Sequence, residues 1–174
     1  MKVRRARLAD AGRIAEIHVL GWQGGYQGLM PQDYLDGLDP GGQRFDLWAQ
    51  SLAETDWSRG GTLVVEDQEL RTVGFAHLRE SRDDDADPAQ IGEVWAIYLE
   101  PAAWGQGIGR ELMTAALDSL GEIGYAQVTL WVLDTNIRAR RFYEAAGFRL
   151  DGAVKFDDSR GFRLREVRYR KSLR

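Results

Sequence analysis

The 174-residue chain contains no cysteine. That excludes a disulfide scaffold, a thiolate zinc site and a cysteine nucleophile. Histidine is nearly as scarce, with only His18 and His77. The first falls on an apolar helical face and the second in a strand-like run. Neither has a partner at ligand spacing, so no metal site is expected. No apolar run approaches the roughly 20 residues that span a bilayer. The basic start Met1–Arg5 leads into Ala-Arg-Leu-Ala-Asp10 rather than an apolar segment, which argues against a secretory signal. Positive charge is not in excess either: 23 Lys and Arg against 27 Asp and Glu give −4. Nothing therefore draws the chain generally to nucleic acid or to an anionic membrane. The expectation is one soluble, cytoplasmic domain over residues 1–174.

The apolar pattern predicts a mixed α/β fold. Val3 to Leu8 reads as a first strand, and Asp10 as the cap of a helix carrying Ile14, Ile17, His18 and Leu20. Glycines at Gly21-Trp-Gln-Gly-Gly-Tyr-Gln-Gly28 interrupt it, and Pro31 opens a short helix. Phe45 to Leu52 reads as another. Thr62 to Glu66 and Thr72 to Leu78 form a hairpin. The acidic Asp83 to Asp87 reads as solvated loop. Val94 to Leu99 and Val128 to Leu133 are continuous apolar runs, as expected of strands covered on both faces. A helical face at Leu112, Met113, Ala116, Leu117 and Leu120 lies between them, which makes a right-handed unit of two parallel strands. Asp134-Thr-Asn136 caps a last helix ending at Gly147. Val154–Phe156 and Phe162–Tyr169 then pair, with a bulge expected near Arg165-Glu166 from the change of apolar parity. Arg163, Arg165, Arg168, Arg170, Lys171 and Arg174 read as the solvated side of an edge strand.

The segment Glu93-Val-Trp-Ala-Ile-Tyr-Leu-Glu-Pro-Ala-Ala-Trp-Gly-Gln-Gly-Ile-Gly109 says most about function. A glycine turn that opens a helix gathers unpaired N–H groups at the positive end of the helix dipole, a place for phosphate. The glycines at 105, 107 and 109 are spaced G-x-G-x-G, whereas the dinucleotide fingerprint is G-x-G-x-x-G directly after a strand. Here Glu100 to Trp104 intervene. A P-loop is excluded because no Lys-Ser or Lys-Thr follows.

Taken with Asn136-Ile-Arg-Ala-Arg-Arg-Phe-Tyr-Glu-Ala-Ala-Gly-Phe148, the turn Trp104-Gly-Gln-Gly-Ile-Gly109 resembles the GNAT-type N-acetyltransferases. The order of elements is similar over nearly the whole chain. The resemblance implies a mostly antiparallel sheet with a central splayed parallel pair flanked by helices. It implies acetyl-CoA as cofactor, an amine of a small molecule or peptide as acceptor, direct transfer, and a possible homodimer. One position departs from the family pattern: Trp104 stands where Arg or Gln is usual.

The site expected on this basis has three parts. Trp104, Gly105, Gln106, Gly107, Ile108, Gly109 and Arg110 hold the diphosphate, while Ile97, Tyr98 and Leu99 polarise the thioester and line the arm. Asn136, Ala139 and Tyr143 share one helical face, with Asn136 and Tyr143 ~10 Å apart along its axis. Asn136 is expected to cap the helix, to contact the arm, or both. The resemblance gives Tyr143 the role of protonating the departing thiolate. An amine is mostly protonated at neutral pH and needs a base; Glu93 is the candidate, directly or through water. Trp22 and Tyr26 either wall the acceptor pocket or pack the early helices. The rival reading is a non-catalytic acyl-CoA-binding sensor or interaction module on the same fold.

Overall fold

The computed structural model describes residues 1–174. Along the chain run β1 (Lys2–Arg5), α1 (Ala11–Gly25), α2 (Gln32–Asp36), α3 (Gln43–Ala53), β2 (Gly61–Glu66), β3 (Thr72–Glu80) and β4 (Ile91–Leu99). Then follow α4 (Ile108–Ile123), β5 (Gln127–Leu133), α5 (Ile137–Ala145), β6 (Arg149–Asp157) and β7 (Leu164–Ser172). The strands form one sheet in the order β1-β2-β3-β4-β5-β7-β6. No helix is long and apolar enough to cross a membrane.

Every neighbouring pair is antiparallel except β4 and β5. These two pair only at Ile91–Glu93 against Gln127–Thr129. Above that point β4 continues against β3 as far as Leu99, and β5 against β7 as far as Leu133. The sheet therefore opens into a V between its two central strands. The β3–β4 register also shifts, from His77↔Ala96 to Leu78↔Val94. This bulge leaves Trp95 unpaired and exposed.

Apolar residues on both faces of the central strands make two cores. On one face Leu112, Met113, Ala116 and Leu120 of α4 pack on Val94, Val128, Leu130 and Tyr169. On the other, Ile14 and Ile17 of α1 and Trp48 of α3 pack on Val64, Phe75 and Ala96.

Several sequence expectations need correcting. The first strand stops at Arg5, and Leu8–Asp10 form a single 3-10 turn. Asp10 precedes α1, but its carboxylate does not cap the helix. It instead accepts from Arg4 and from the Arg7 N–H. The glycines do not end α1 at residue 21. Gly21 and Gly24 let the helix lie against aromatic rings: a Cβ at Gly21 would stand 3.0 Å from the Tyr98 ring, and one at Gly24 would stand 2.8 Å from Pro101 and 2.9 Å from the Trp104 ring. Gly24→Ala gains about 1 kcal/mol of helix propensity, but overpacking costs roughly 1–3 kcal/mol. Net destabilisation in urea is expected, and a stabilised variant would contradict this close-approach reading.

β7 is an interior strand, with β6 at the edge. Its pairing with β5 runs unbroken from Gln127↔Ser172 to Leu133↔Glu166, so no bulge lies at Arg165-Glu166. The irregularity is in β6, between Leu150 and Val154. Apolar parity changes along β7 because the strand is buried on both faces. Leu164 packs with Met30, Leu35 and Leu133, while Val167 and Tyr169 join the α4 core. Arg168 is 4% exposed. It binds Asp83, Asp85 and Asp151, so the acidic loop, exposed at Asp84, Asp85 and Asp87 as expected, is also pinned across β5.

Candidate active site

A cavity of about 400 Å³ fills the V between β4 and β5 and reaches the α4 turn and α5. Twelve of the residues expected from sequence line it: Tyr26, Ile97, Tyr98, Leu99, Trp104, Gly105, Gly107, Gly109, Arg110, Asn136, Ala139 and Tyr143.

The turn forms as its glycines require. Gly105 and Gly107 sit at φ +74° and +81°, left-handed values that cost other residues about 1–2 kcal/mol. Consequently α4 begins abruptly at Ile108. None of the five N–H groups from Gly105 to Gly109 donates a hydrogen bond within the protein, whereas the Arg110 N–H is spent on the Gly107 carbonyl at 3.1 Å. The unspent donor set is therefore residues 105–109, the middle of the Trp104–Arg110 stretch expected from sequence. Gln106 contributes no side chain to the cavity, because its amide folds back to the Ala102 carbonyl. The Ile108 side chain is buried in the α4 core.

The strand edge is also more selective than expected. The Glu100 N–H donates to Val73 of β3. By strict alternation the Tyr98 N–H faces β3 too, while Ile97 and Leu99 face the V. The Leu99 carbonyl on that side accepts from the Trp104 indole at 3.1 Å. The N–H groups of Ile97 and Leu99, not that of Tyr98, therefore face the V.

Helix α5 is built from both ends. Asn136 Oδ1 accepts from the Ala139 N–H at 3.2 Å, the cap expected of it. At the other end the Gly147 N–H donates to Glu144 and the Phe148 N–H to Tyr143, a closure that drives Phe148 into the core. Tyr143 is thereby fixed one turn from the helix end, among the Phe142, Phe148 and Tyr169 rings. Burial, reinforced by Tyr98, holds its phenol well above the ordinary value. Tyr26 and Tyr98 share a phenol–phenol hydrogen bond at 3.2 Å, and burial raises both.

Besides Gln106 and Ile108, two expected residues, Trp22 and Glu93, lie off the cavity. Trp22 packs beside Met30, Leu35, Leu133 and Leu164, behind Tyr26, so packing accounts for it. Its buried indole N–H has no partner in hydrogen-bond geometry. Glu93 is 4% exposed, at the last paired position below the V. Its carboxylate receives Arg79 at 2.7 Å from the opposite strand position. It is neither an exposed strand-end group nor a lining residue.

Other lining residues escaped the sequence reading: Arg138, Phe142, Trp95 and Trp131. Phe142 and Arg138 sit inside the Asn136–Phe148 motif and were within reach of it. Trp95 depends on the bulge, which apolar patterning hides. Glu166 does not line the cavity, but it lies half-buried opposite Leu133, close enough to act electrostatically on Tyr26 and Tyr98. Burial holds its carboxyl above the usual range.

Neither histidine lines the cavity. His18 Nδ1 faces Trp48 Nε1 at 3.2 Å and Arg44 at 3.3 Å, with its ring among Trp22, Phe75 and Tyr98. Burial, then the Arg44 and Arg160 cations, depress it to about 3. With Nδ1 accepting, its proton sits on Nε2, so it offers no lone pair as a base.

This architecture is that of an N-acetyltransferase. The PaiA N-acetyltransferase from Thermoplasma acidophilum, solved in complex with coenzyme A, superposes with a TM-score of 0.75 over 98% of each chain at 18% identity. Residues 13–148 match the model of the acetyltransferase (GNAT) family, and the chain belongs to that family. It is 31% identical over 166 residues to the uncharacterized N-acetyltransferase YuaI of Bacillus subtilis (strain 168), covering 95% of this chain and 89% of that one. A mycothiol acetyltransferase of Sanguibacter keddieii is 35% identical over 92 residues, or 53% of this chain but only 29% of its own length. The chain is thus an acetyl-CoA-dependent N-acetyltransferase. Its site fits that cofactor: five unspent N–H donors and two arginines stand at one end of the cavity, and an apolar channel leads to a phenol.

Proposed function

We propose that this chain transfers acetyl from acetyl-CoA directly to a primary amine, with Tyr143 as the acid. The observation that carries the reading is the Tyr143 phenol, which borders the cavity, makes no hydrogen bond to the protein, and is kept protonated by burial. Acetyl-CoA supplies a thioester. The Ile97 N–H stabilises charge on its carbonyl oxygen. As the new C–N bond forms and the C–S bond breaks, Tyr143 donates its proton to the departing sulfur, and the proton shed by nitrogen restores the phenol through solvent. Glu93 lies outside the lining and accepts the ammonium proton through water. A second reading gives that step to Glu166, favoured by its raised carboxyl. Glu93→Gln and Glu166→Gln separate the two readings, since only the true base removes the acid limb of the kcat/KM profile.

The acceptor end of the cavity supports one amine on an apolar or aromatic body. Tyr26, Trp95, Tyr98 and Trp131 line it, and no carboxylate does. The carboxylates nearby are already matched: Glu93 with Arg79, Asp83 with Arg168, and Glu166 with Lys155 at 3.7 Å. A second ammonium group would find no free counter-charge. In a panel read by free CoA release and product mass, arylalkyl monoamines are expected to turn over at least tenfold faster than polyamines. Preference for a polyamine would overturn the acceptor class. CoA binding with no product from any amine would overturn direct transfer.

A further inference from the structure

Trp104 occupies the place where the family usually carries Arg or Gln, yet its ring is fixed on three sides. Its Nε1 donates to the Leu99 carbonyl at 3.1 Å. Its far edge abuts Gly24, where even a Cβ would come within 2.9 Å. Its face carries the Arg138 guanidinium, with Cζ 3.7 Å from the ring centroid. Arg138 comes from the other wall of the cavity, the first turn of α5.

Most arginines near the site are held by carboxylates: Arg79 by Glu93, Arg160 by Asp157, and Arg168 by three aspartates. Arg138 forms no ion pair, and what positions it is the indole. A stacked guanidinium keeps its charge and its fork of N–H donors, because the ring takes up none of them. The stack stands next to Gly105 and Gly107, where the unspent backbone donors begin.

We propose that Arg138, seated on Trp104, provides the guanidinium contact to the diphosphate of coenzyme A. The cation missing from the turn at position 104 is thus returned from α5, and the tryptophan has become its platform. The proposal rests on coenzyme A as the ligand of this cavity.

Calorimetric titration of the whole chain with CoA and with dephospho-CoA, which lacks the 3′-phosphate, tests it. Arg138→Ala is expected to weaken both ligands by roughly 10–100-fold, the scale of losing a charge-assisted contact. Arg138→Lys is expected to fall between, since a point charge replaces the fork. Adding Trp104→Arg to Arg138→Ala is expected to restore at least half of the lost affinity on a logarithmic scale, by returning the cation to the turn.

Wild-type affinity in Arg138→Ala would overturn the assignment. So would a loss seen with CoA but absent with dephospho-CoA, which would place Arg138 at the 3′-phosphate. A loss that neither Arg138→Lys nor Trp104→Arg repairs would reduce Arg138 to a wall residue. Failure of the wild-type chain itself to bind CoA would remove the underlying ligand as well, and the wild-type titration alone distinguishes that case.

Discussion

Tyr143→Phe is expected to lower kcat by roughly 10²–10³, within the range for loss of a positioned proton donor, with little change in affinity for CoA. The substitution removes one oxygen that makes no hydrogen bond to the protein, and the ring keeps its contacts with Phe142, Phe148 and Tyr169. The loss therefore falls on the chemical step rather than on folding. The pH profile adds a signature. Burial raises the Tyr143 phenol above its ordinary value, so the wild-type kcat has no alkaline fall from this group up to about pH 10. An unchanged kcat in Tyr143→Phe would remove the phenol from the mechanism. A matching loss of CoA affinity would make it a binding group.

The second large effect concerns stability in mild acid. Burial, the first cause for both, depresses His18 to about 3 and His77 to about 4, with nearby arginines adding to it. In the unfolded chain both titrate near 6.5. Below that value the unfolded state binds protons that the folded state refuses, so stability falls with pH. The contribution is fully present above pH 6.5 and is lost progressively from there to about pH 4 for His77 and about pH 3 for His18. At pH 5 the cost is roughly 2 kcal/mol for each imidazole. Glu166 acts in the opposite sense, since burial raises its carboxyl and this favours the folded state as pH falls. Urea denaturation at pH 7 and pH 5 reads the difference. His18→Gln keeps an acceptor for Trp48 but does not titrate, so it should lose about half of the pH dependence. Equal stability of the wild-type chain at the two pH values would show that these rings are not sequestered.

The most legible parts of the fold were those where local chemistry and tertiary packing ask for the same residues. The apolar runs on either side of α4, the Asn136 cap and the Gly147 stop each demand one local structure, and each is found. The turn was legible for the same reason, because glycines at 105 and 107 meet a backbone requirement that few other residues satisfy. Where tertiary contacts decide, the sequence misleads. Gly21 and Gly24 look like helix breakers until Tyr98 and Trp104 are seen against them. The parity change in β7 looks like a bulge until both faces prove buried.

The site divides along the same line. Most of the residues expected from the two motifs reach the cavity together, whereas Gln106 folds back on Ala102 and Ile108 is in the core. Glu93 has the charge and strand position of a base, yet it is half of an ion pair with Arg79. Tyr26 and Trp22 lie on one helix and in one glycine-rich stretch, yet only Tyr26 reaches the cavity. The exposure of Trp95 depends on a bulge that leaves no local trace, and although Arg138 lies inside the second motif, its stack on Trp104 across the groove is not legible there.

The orientation of the cofactor is the claim on which the mechanism depends, and a crystal structure of the chain with coenzyme A tests it most directly. The diphosphate should lie within hydrogen-bond distance of N–H groups between Gly105 and Gly109, with the sulfur beside Tyr143 Oη. A diphosphate bound elsewhere, or a sulfur out of reach of that phenol, would contradict the account.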